Sequence, residues 1–269
     1  MTSWRFGGPA APCLIAGPCV VEELDLLLRV ADRLAELGRS LSIPVCFKAS
    51  FDKANRARVD AARGPGLDRG LEALAKVKAA SGLPVLTDVH ESHQAAPVAE
   101  VVDVLQVPAF LSRQTDLLVA CGRTGKPVNI KKGQWLDPGA LEGAVAKVRH
   151  GGATEIAVTE RGTFFGYGAL VVDMRSFERM KAATGVPVIF DATHSVQRPG
   201  RGSGGASGGD RAAIPGLLLA AAVAGADGFF LETHPDPARA ASDADTQWPL
   251  DQLDALIRRA VDVWQRVRA

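Results

Sequence analysis

Cysteine is scarce in this 269-residue chain, which has only Cys13, Cys19, Cys46 and Cys121. They form neither a Cys-x-x-Cys pair nor the dense framework that staples small secreted folds, so the expected setting is a reducing cytoplasm. An excess of charge of either sign is also missing: 31 Lys and Arg stand against 30 Asp and Glu, a net charge of +1. No whole-molecule field draws in nucleic acid or an anionic membrane, and any anionic ligand must be held by a local cluster. Apolar runs such as Ile214 to Ala224 fall short of the roughly 20 residues that a membrane helix needs and are interrupted by Gly, Pro or charge. The opening Met1-Thr2-Ser3-Trp4-Arg5-Phe6-Gly7-Gly8 carries no basic segment leading into an apolar one with a cleavage site. These absences describe a soluble, cytoplasmic protein with neither nucleic acid nor membrane as partner.

Short apolar, β-branched runs recur from end to end, each followed by a stretch of helical periodicity, as in parallel strands joined by crossover helices. Eight strand candidates stand out: Cys13–Pro18, Pro44–Ser50, Pro84–Val89, Val104–Phe110, Pro127–Lys132, Glu155–Glu160, Pro187–His194 and Gly228–His234. Four of them open on a Pro-Val step, where proline at a strand start removes no essential ladder donor, and the recurrence hints at a repeated unit. The first helix places Leu24, Leu27, Leu28, Ala31, Leu34 and Leu37 on one face, has Glu22 and Glu23 in its first turn and Gly38 as its stop. The last starts at Pro249 and buries Leu250, Leu253, Ile257, Val261, Trp264 and Val267. Eight βα units without a change of composition favour one α/β domain over residues 1–269, a single (β/α)8 TIM barrel, although an open sheet carries the same alternation. The one low-complexity segment, Arg198 to Gly209, reads either as a linker or as a mobile active-site loop after the seventh strand.

A barrel keeps its chemistry at the carboxyl ends of its strands. Those ends carry Cys19; Lys48, Ser50, Lys53, Asn55 and Arg56; Asp88 and His90; Gln106; Lys131 and Lys132; Glu160 and Arg161; Asp191 and His194; Glu232 and His234. A single lysine there is ordinarily a solvated head on an apolar stem. Together, Lys48, Lys53, Arg56, Arg63, Lys131, Arg161 and Arg211 repel one another unless anions arrive, so a ligand with more than one anionic group is the natural inference. No local spacing motif joins Cys19, His194 and Glu232, and singly each has a structural reading. In a closed ring the seventh, eighth and first strands are neighbours about 4.8 Å apart, so the three could converge. Thiolate, imidazole and carboxylate suit zinc or ferrous iron better than magnesium.

At these residues the chain resembles the 3-deoxy-D-manno-octulosonate 8-phosphate synthases along nearly its whole length. The resemblance is carried by Phe47-Lys48-Ala49-Ser50-Phe51-Asp52-Lys53-Ala54-Asn55-Arg56 running on to Arg63-Gly64-Pro65-Gly66, and by Thr87-Asp88-Val89-His90, Gln106-Val107-Pro108, Asn129-Ile130-Lys131-Lys132-Gly133, Thr159-Glu160-Arg161-Gly162, Asp191-Ala192-Thr193-His194 and Glu232-Thr233-His234-Pro235. Related heptulosonate synthases, which use erythrose 4-phosphate, carry a Lys-Pro-Arg-Thr type segment where Lys53-Ala54-Asn55-Arg56 stands.

The resemblance implies a barrel enzyme, commonly a tetramer, that condenses phosphoenolpyruvate with D-arabinose 5-phosphate for lipopolysaccharide synthesis. It implies Lys48, Ser50, Lys53, Lys131 and Arg161 around phosphoenolpyruvate and Asn55, Arg56 and Ser207 around the sugar phosphate, with Arg63, Asp88, His90 and Gln106 as further binding residues. Cysteine at position 19 marks the metal-dependent class. Its implied ligands are Cys19, His194, Glu232 and Asp243 for zinc, iron(II), manganese or cobalt, and Lys131, His194 and Asp243 are the implied catalytic groups. Ala57-Arg58 departs from the family's serine pair, and the seventh loop offers two Ser-Gly-Gly runs, at Ser203 and Ser207, of which Ser207 keeps the arginine offset. The alternatives are a heptulosonate 7-phosphate synthase and a barrel that binds sugar phosphate without catalysis.

Overall fold

A computed structural model describes residues 4–56, 58–202 and 207–269, so Ala57 and Ser203 lie outside the described residues. Eight parallel strands form the core: β1 (Cys13–Gly17), β2 (Val45–Lys48), β3 (Val85–Asp88), β4 (Val104–Val107), β5 (Val128–Lys131), β6 (Ile156–Glu160), β7 (Val188–Asp191) and β8 (Gly228–His234). Each pairs with the next, and β8 pairs back to β1 from Cys13↔Gly228 to Gly17↔Glu232, which closes the ring and excludes the open sheet. Eight helices surround it: α1 (Leu24–Leu41), α2 (Leu67–Ser81), α3 (Ala95–Val101), α4 (Thr115–Arg123), α5 (Leu141–Gly151), α6 (Ser176–Thr184), α7 (Ile214–Val223) and α8 (Leu253–Arg268). Among the described residues no helix is long and apolar enough to cross a membrane.

The strands alternate between two cores, as their period of two requires. Outward residues such as Leu14, Phe47, Leu105, Ile130 and Phe190 pack against the helix layer. Inward residues Cys13, Ile15, Cys46, Leu86, Val104, Ala157, Ile189 and Phe230 fill the barrel's lower half. Trp4 and Phe6 belong to this inner cluster and stack edge to face with ring centroids 6.1 Å apart. The Phe6 amide donates to Glu155 Oε1 at 3.0 Å, which anchors this plug where β6 begins.

The repeated Pro-Val step has a structural counterpart. Lys78 on α2 bonds Asp103 Oδ1 at 2.8 Å while Asp103 Oδ2 accepts the Val85 amide at 3.0 Å. Four units later Lys181 on α6 bonds Asp227 Oδ1 at 2.7 Å while Asp227 Oδ2 accepts the Val188 amide at 2.8 Å. In both halves an acid ahead of an even-numbered strand holds the first amide of the strand before it.

Several boundaries differ from the sequence expectation. Gly38 does not end α1, which runs on to Leu41 and stops at Ser42 in the left-handed conformation. A Cβ at Gly38 would stand 2.8 Å from Val45 Cγ2, so this glycine serves close packing of α1 on β2. Glu23 is the residue before α1, and Asp25 is the acid of its first turn. α8 starts at Leu253, after a single 3-10 turn at Leu250–Gln252, and Val267, expected on the buried face, is half exposed. β4 stops at Val107, before Pro108 and a 3-10 turn at Ala109–Leu111. β7 stops at Asp191, and His194 opens a 3-10 turn because the Asp191 carboxylate accepts its amide at 2.9 Å. The low-complexity segment is no interdomain linker: its flanks, Gln197–Arg198 and Gly208–Gly209, pair antiparallel beside the barrel mouth.

Candidate active site

Chain direction alone brings every strand's last residue to one end of the barrel, and there the interior changes from apolar to charged. A cavity of about 320 Å³ opens at that end, lined among others by Lys48, Lys53, Asn55, Asp88, His90, Gln106, Lys131, Arg161, Asp191 and His194. Ten of the residues singled out from the sequence thus meet in one place. A larger groove of about 860 Å³ runs outside α1 past Arg29, Arg33 and Leu250, away from the strand ends, and there Arg33 pairs with Glu36 and Asp254, each at 2.8 Å.

The cavity floor is a belt of hydrogen bonds across five adjacent strands or strand ends. Ser50 Oγ donates to Asp88 Oδ2; Gln106 Nε2 donates to Asp88 Oδ1 at 2.6 Å; Asn129 Nδ2 donates to Gln106 Oε1 at 2.8 Å; Thr159 Oγ1 donates to Asn129 Oδ1 at 2.6 Å. All five residues are buried, so the belt satisfies polar groups that would otherwise cost about 1–3 kcal/mol each to leave unpaired. Burial opposes the charge on Asp88, but Lys48, Lys53 and His90 outweigh it and hold that carboxyl well below its usual range.

Two of the cations are neutralised within the site. Lys48 Nζ lies 2.5 Å from Glu232 Oε1 and 3.0 Å from the Cys19 carbonyl, and Lys131 Nζ lies 2.5 Å from Asp191 Oδ2. The same Asp191 oxygen meets His194 Nδ1 at 2.7 Å. Asp191 is held far below the usual carboxylate range, burial being outweighed by His194 and Lys131. Lys131 shares its one carboxylate with that imidazole, and burial pushes it down to about 8. Arg161 and Lys53, by contrast, have no carboxylate within hydrogen-bonding distance among the described residues. Arg161 is 6% exposed and, among the described residues, its side chain bonds only the neutral Gln197 and its buried Nη1 has no partner. Lys53 bonds Ser50 Oγ at 3.0 Å and stays 3.9 Å from Glu232.

Beside Lys48 and Lys53 a second cluster forms. Gly17, whose added Cβ would fall 2.1 Å from the Lys48 carbonyl, lets β1 run close to β2, and Cys19 follows two residues later. The Cys19 thiol and one oxygen each of Glu232 and Asp243 lie within 4.8 Å of one another. Cys19 Sγ donates to Asp243 Oδ2 at 3.0 Å, and His194 Nε2 stands 3.7 Å from Glu232 Oε2. Burial, then the charge of Glu232, push the Cys19 thiol up. Asp243 adopts a left-handed φ of 50°, unusual for a side-chain-bearing residue, with its carboxylate turned toward Cys19. Among the described residues the buried Glu232 Oε2 has no hydrogen-bond partner. A bare acceptor among a thiol, a second carboxylate and an imidazole nitrogen fits a divalent cation of the zinc or ferrous type.

Other residues singled out from the sequence stand apart. Arg63 is more than half exposed and forks onto Asp52, Arg56 bonds Ser242 Oγ at 2.8 Å, and Ser207 is exposed at the edge of the loop ribbon. Asn129, Thr159 and Gln197 carry much of the site's hydrogen bonding without having been assigned a role. Asn129 sits two positions before Lys131, a spacing that puts both inside the barrel, whereas nothing local marks Gln197.

Fold and mouth together define the class: a (β/α)8-barrel enzyme whose site is built to receive anions. The chain belongs to the DAHP synthetase I family, whose model matches residues 3–267. Proteins named 2-dehydro-3-deoxyphosphooctonate aldolase, another name for the octulosonate phosphate synthases, are similar over nearly the whole length. That of Nitratidesulfovibrio vulgaris is 53% identical over 251 residues, 93% of this chain and 91% of its own. That of Geobacter metallireducens is 53% identical over 255 residues, 95% and 93%. That of Cyanothece sp. is 52% identical over 250 residues, 93% and 91%. The resemblance drawn from the strand-end motifs is therefore borne out, and the heptulosonate synthases are relatives at the level of the family.

Proposed function

We propose that this enzyme condenses phosphoenolpyruvate with D-arabinose 5-phosphate and water to give 3-deoxy-D-manno-octulosonate 8-phosphate and inorganic phosphate, for lipopolysaccharide synthesis. The observation that carries the reading is a pair of cations, Arg161 and Lys53, with no carboxylate within hydrogen-bonding distance among the described residues, beside Lys131 in one cavity. Buried cations are costly without counter-charge, and a substrate bearing carboxylate and phosphate supplies it.

In the reaction C3 of the enol phosphate bonds to the aldehyde carbon, water adds at C2, and the C2–O bond to phosphate then breaks. Arg161, Lys53 and Lys131 bind the anionic groups of phosphoenolpyruvate throughout and stabilise the charge that develops as phosphate departs. Lys131, pushed down to about 8 by burial, holds a proton at Nζ that it can release near neutral pH, with Asp191 as its fixed partner. Asp88 and Gln106 lock the cavity floor, while Asn55, Arg56 and Ser207 approach the sugar phosphate from the outer loops. Holding both substrates in one cavity removes much of the entropic barrier of a bimolecular encounter. Cys19, His194, Glu232 and Asp243 would hold the divalent metal, zinc, iron(II), manganese or cobalt, which when bound would supply Lewis-acid chemistry, either orienting the aldehyde or lowering the pKa of a water. The working form is a cytoplasmic homotetramer.

Phosphate release from phosphoenolpyruvate, measured with each aldose phosphate in turn, tests this. The expected result is a larger kcat/KM with D-arabinose 5-phosphate. A larger value with erythrose 4-phosphate would transfer the enzyme to the heptulosonate branch, and release with neither would leave only a binding barrel.

A further inference from the structure

Gln197 stands at the root of the loop ribbon, 9% exposed, and does not line the cavity, yet its side chain touches both halves of the site. Its Oε1 accepts from Arg161 Nη2 at 2.7 Å, and its Nε2 donates to Asp243 Oδ1 at 2.9 Å. The amide's orientation follows from chemistry. A guanidinium only donates and an ionised carboxylate only accepts, so the opposite flip would set donor against donor and acceptor against acceptor. No other described side chain bonds both groups.

We propose that Gln197 is a positioning residue that couples the enol-phosphate arginine to the carboxylate of the metal-ligand cluster, so that order at either site raises affinity at the other. The proposal rests on the function proposed above. Among the described residues no carboxylate orients Arg161, and the amide aims its guanidinium, leaving buried Nη1 for an anion. Asp243 is held in its left-handed conformation by the same amide, by Ser242 Oγ and by the Cys19 thiol. A divalent ion that fixes Asp243 thereby fixes Gln197 and pre-organises Arg161, and the converse holds by linkage.

The test compares wild type with Gln197→Met, which keeps length and bulk but neither polar end, and with Gln197→Leu as a second apolar variant in case the first folds poorly. Cobalt(II) is titrated into metal-free protein, with and without phosphoenolpyruvate, while thiolate-to-cobalt absorption is followed. Steady-state KM and kcat are measured for both substrates. In wild type phosphoenolpyruvate should tighten cobalt binding at least about fivefold, within the usual range of coupling between sites. In the variants this factor should fall below about twofold, KM for phosphoenolpyruvate should rise about tenfold, as for loss of a hydrogen bond to a charged group, and KM for the aldose phosphate should hardly move. A purely structural role would lower kcat through a smaller active fraction and leave both KM values and the coupling factor in place, which overturns the proposal. A wild type that releases no phosphate but shows the coupling, lost in the variants, refutes the proposed reaction and supports the role of Gln197. A wild type that turns over without any coupling refutes Gln197 alone.

Discussion

The two ends of the barrel are built from the same strands and obey opposite rules. At the amino-terminal end Trp4 and Phe6 plug an apolar interior, and charges such as Asp103 and Asp227 sit outside, paired with lysines and with strand amides. At the carboxyl end the interior holds Lys48, Lys131, Arg161, Asp88, Asp191 and Glu232, all nearly or fully buried. Buried ion pairs add little net stability, because desolvation offsets their attraction. The lower end therefore holds the fold together, and the upper end keeps charge out of water for a ligand's use.

That contrast can be tested from its strongest point downward. Removing the divalent metal with a chelator should abolish turnover while the circular dichroism spectrum stays unchanged, and zinc, manganese, cobalt or iron(II) should restore activity to differing degrees. Cys19→Ala should stay folded, bind metal weakly and remain inactive, and full activity in metal-free wild type would remove the cluster from the mechanism. Next in size, Lys131→Ala and Arg161→Ala should each lose about ten- to a hundredfold or more in kcat/KM while melting like wild type. Wild-type kinetics in both would move the anion site elsewhere.

At the opposite end Phe6→Ala should cost about 3–5 kcal/mol in denaturant unfolding and leave kcat/KM per folded molecule unchanged. A variant that loses activity but not stability would break the division of labour.

A smaller, graded effect comes from pH. Lys131 gives up its proton near 8 in the folded protein and near 10.5 when unfolded, so between those values the unfolded chain holds more protons. Stability should therefore rise with pH across that window through this group. Activity should move the other way, with kcat/KM for phosphoenolpyruvate falling above about pH 8 as the cation is lost. A flat profile from pH 7 to 9 would separate Lys131 from substrate binding. The least effect belongs to Arg63→Ala: its guanidinium is exposed and forks onto Asp52 outside the cavity, so kcat/KM should change by no more than about twofold, since exposed pairs contribute little. A large loss would mean that Arg63 leaves Asp52 to meet the sugar phosphate.

The alternation of apolar runs with helical stretches was legible along the chain, and a parallel arrangement of eight strands follows from it because parallel neighbours need crossover helices, whereas closure rests on the pairing of β8 with β1. Boundaries were blurred where a local hydrogen bond outbid the pattern, as at His194, whose amide turns back onto Asp191. The strand-end charges were legible too, since chain direction sends all of them to one face, and inside–outside alternation separates Lys131, in the cavity, from Lys132, bonded to Thr163 at 3.1 Å.

What the sequence by itself determined is which chemistry stands at the mouth: thiol, imidazole, carboxylates and cations, one set per strand end. Only the tertiary structure decided how those groups pair. Glu232 and Lys48 are 184 residues apart, Arg161 and Gln197 are 36 apart, and Cys19 and Asp243 are 224 apart. No periodicity reports such distances. Barrel closure brings the first and eighth strands together, and only then do burial and hydrogen-bond geometry select which cation is neutralised within the site and which is left to meet an anion.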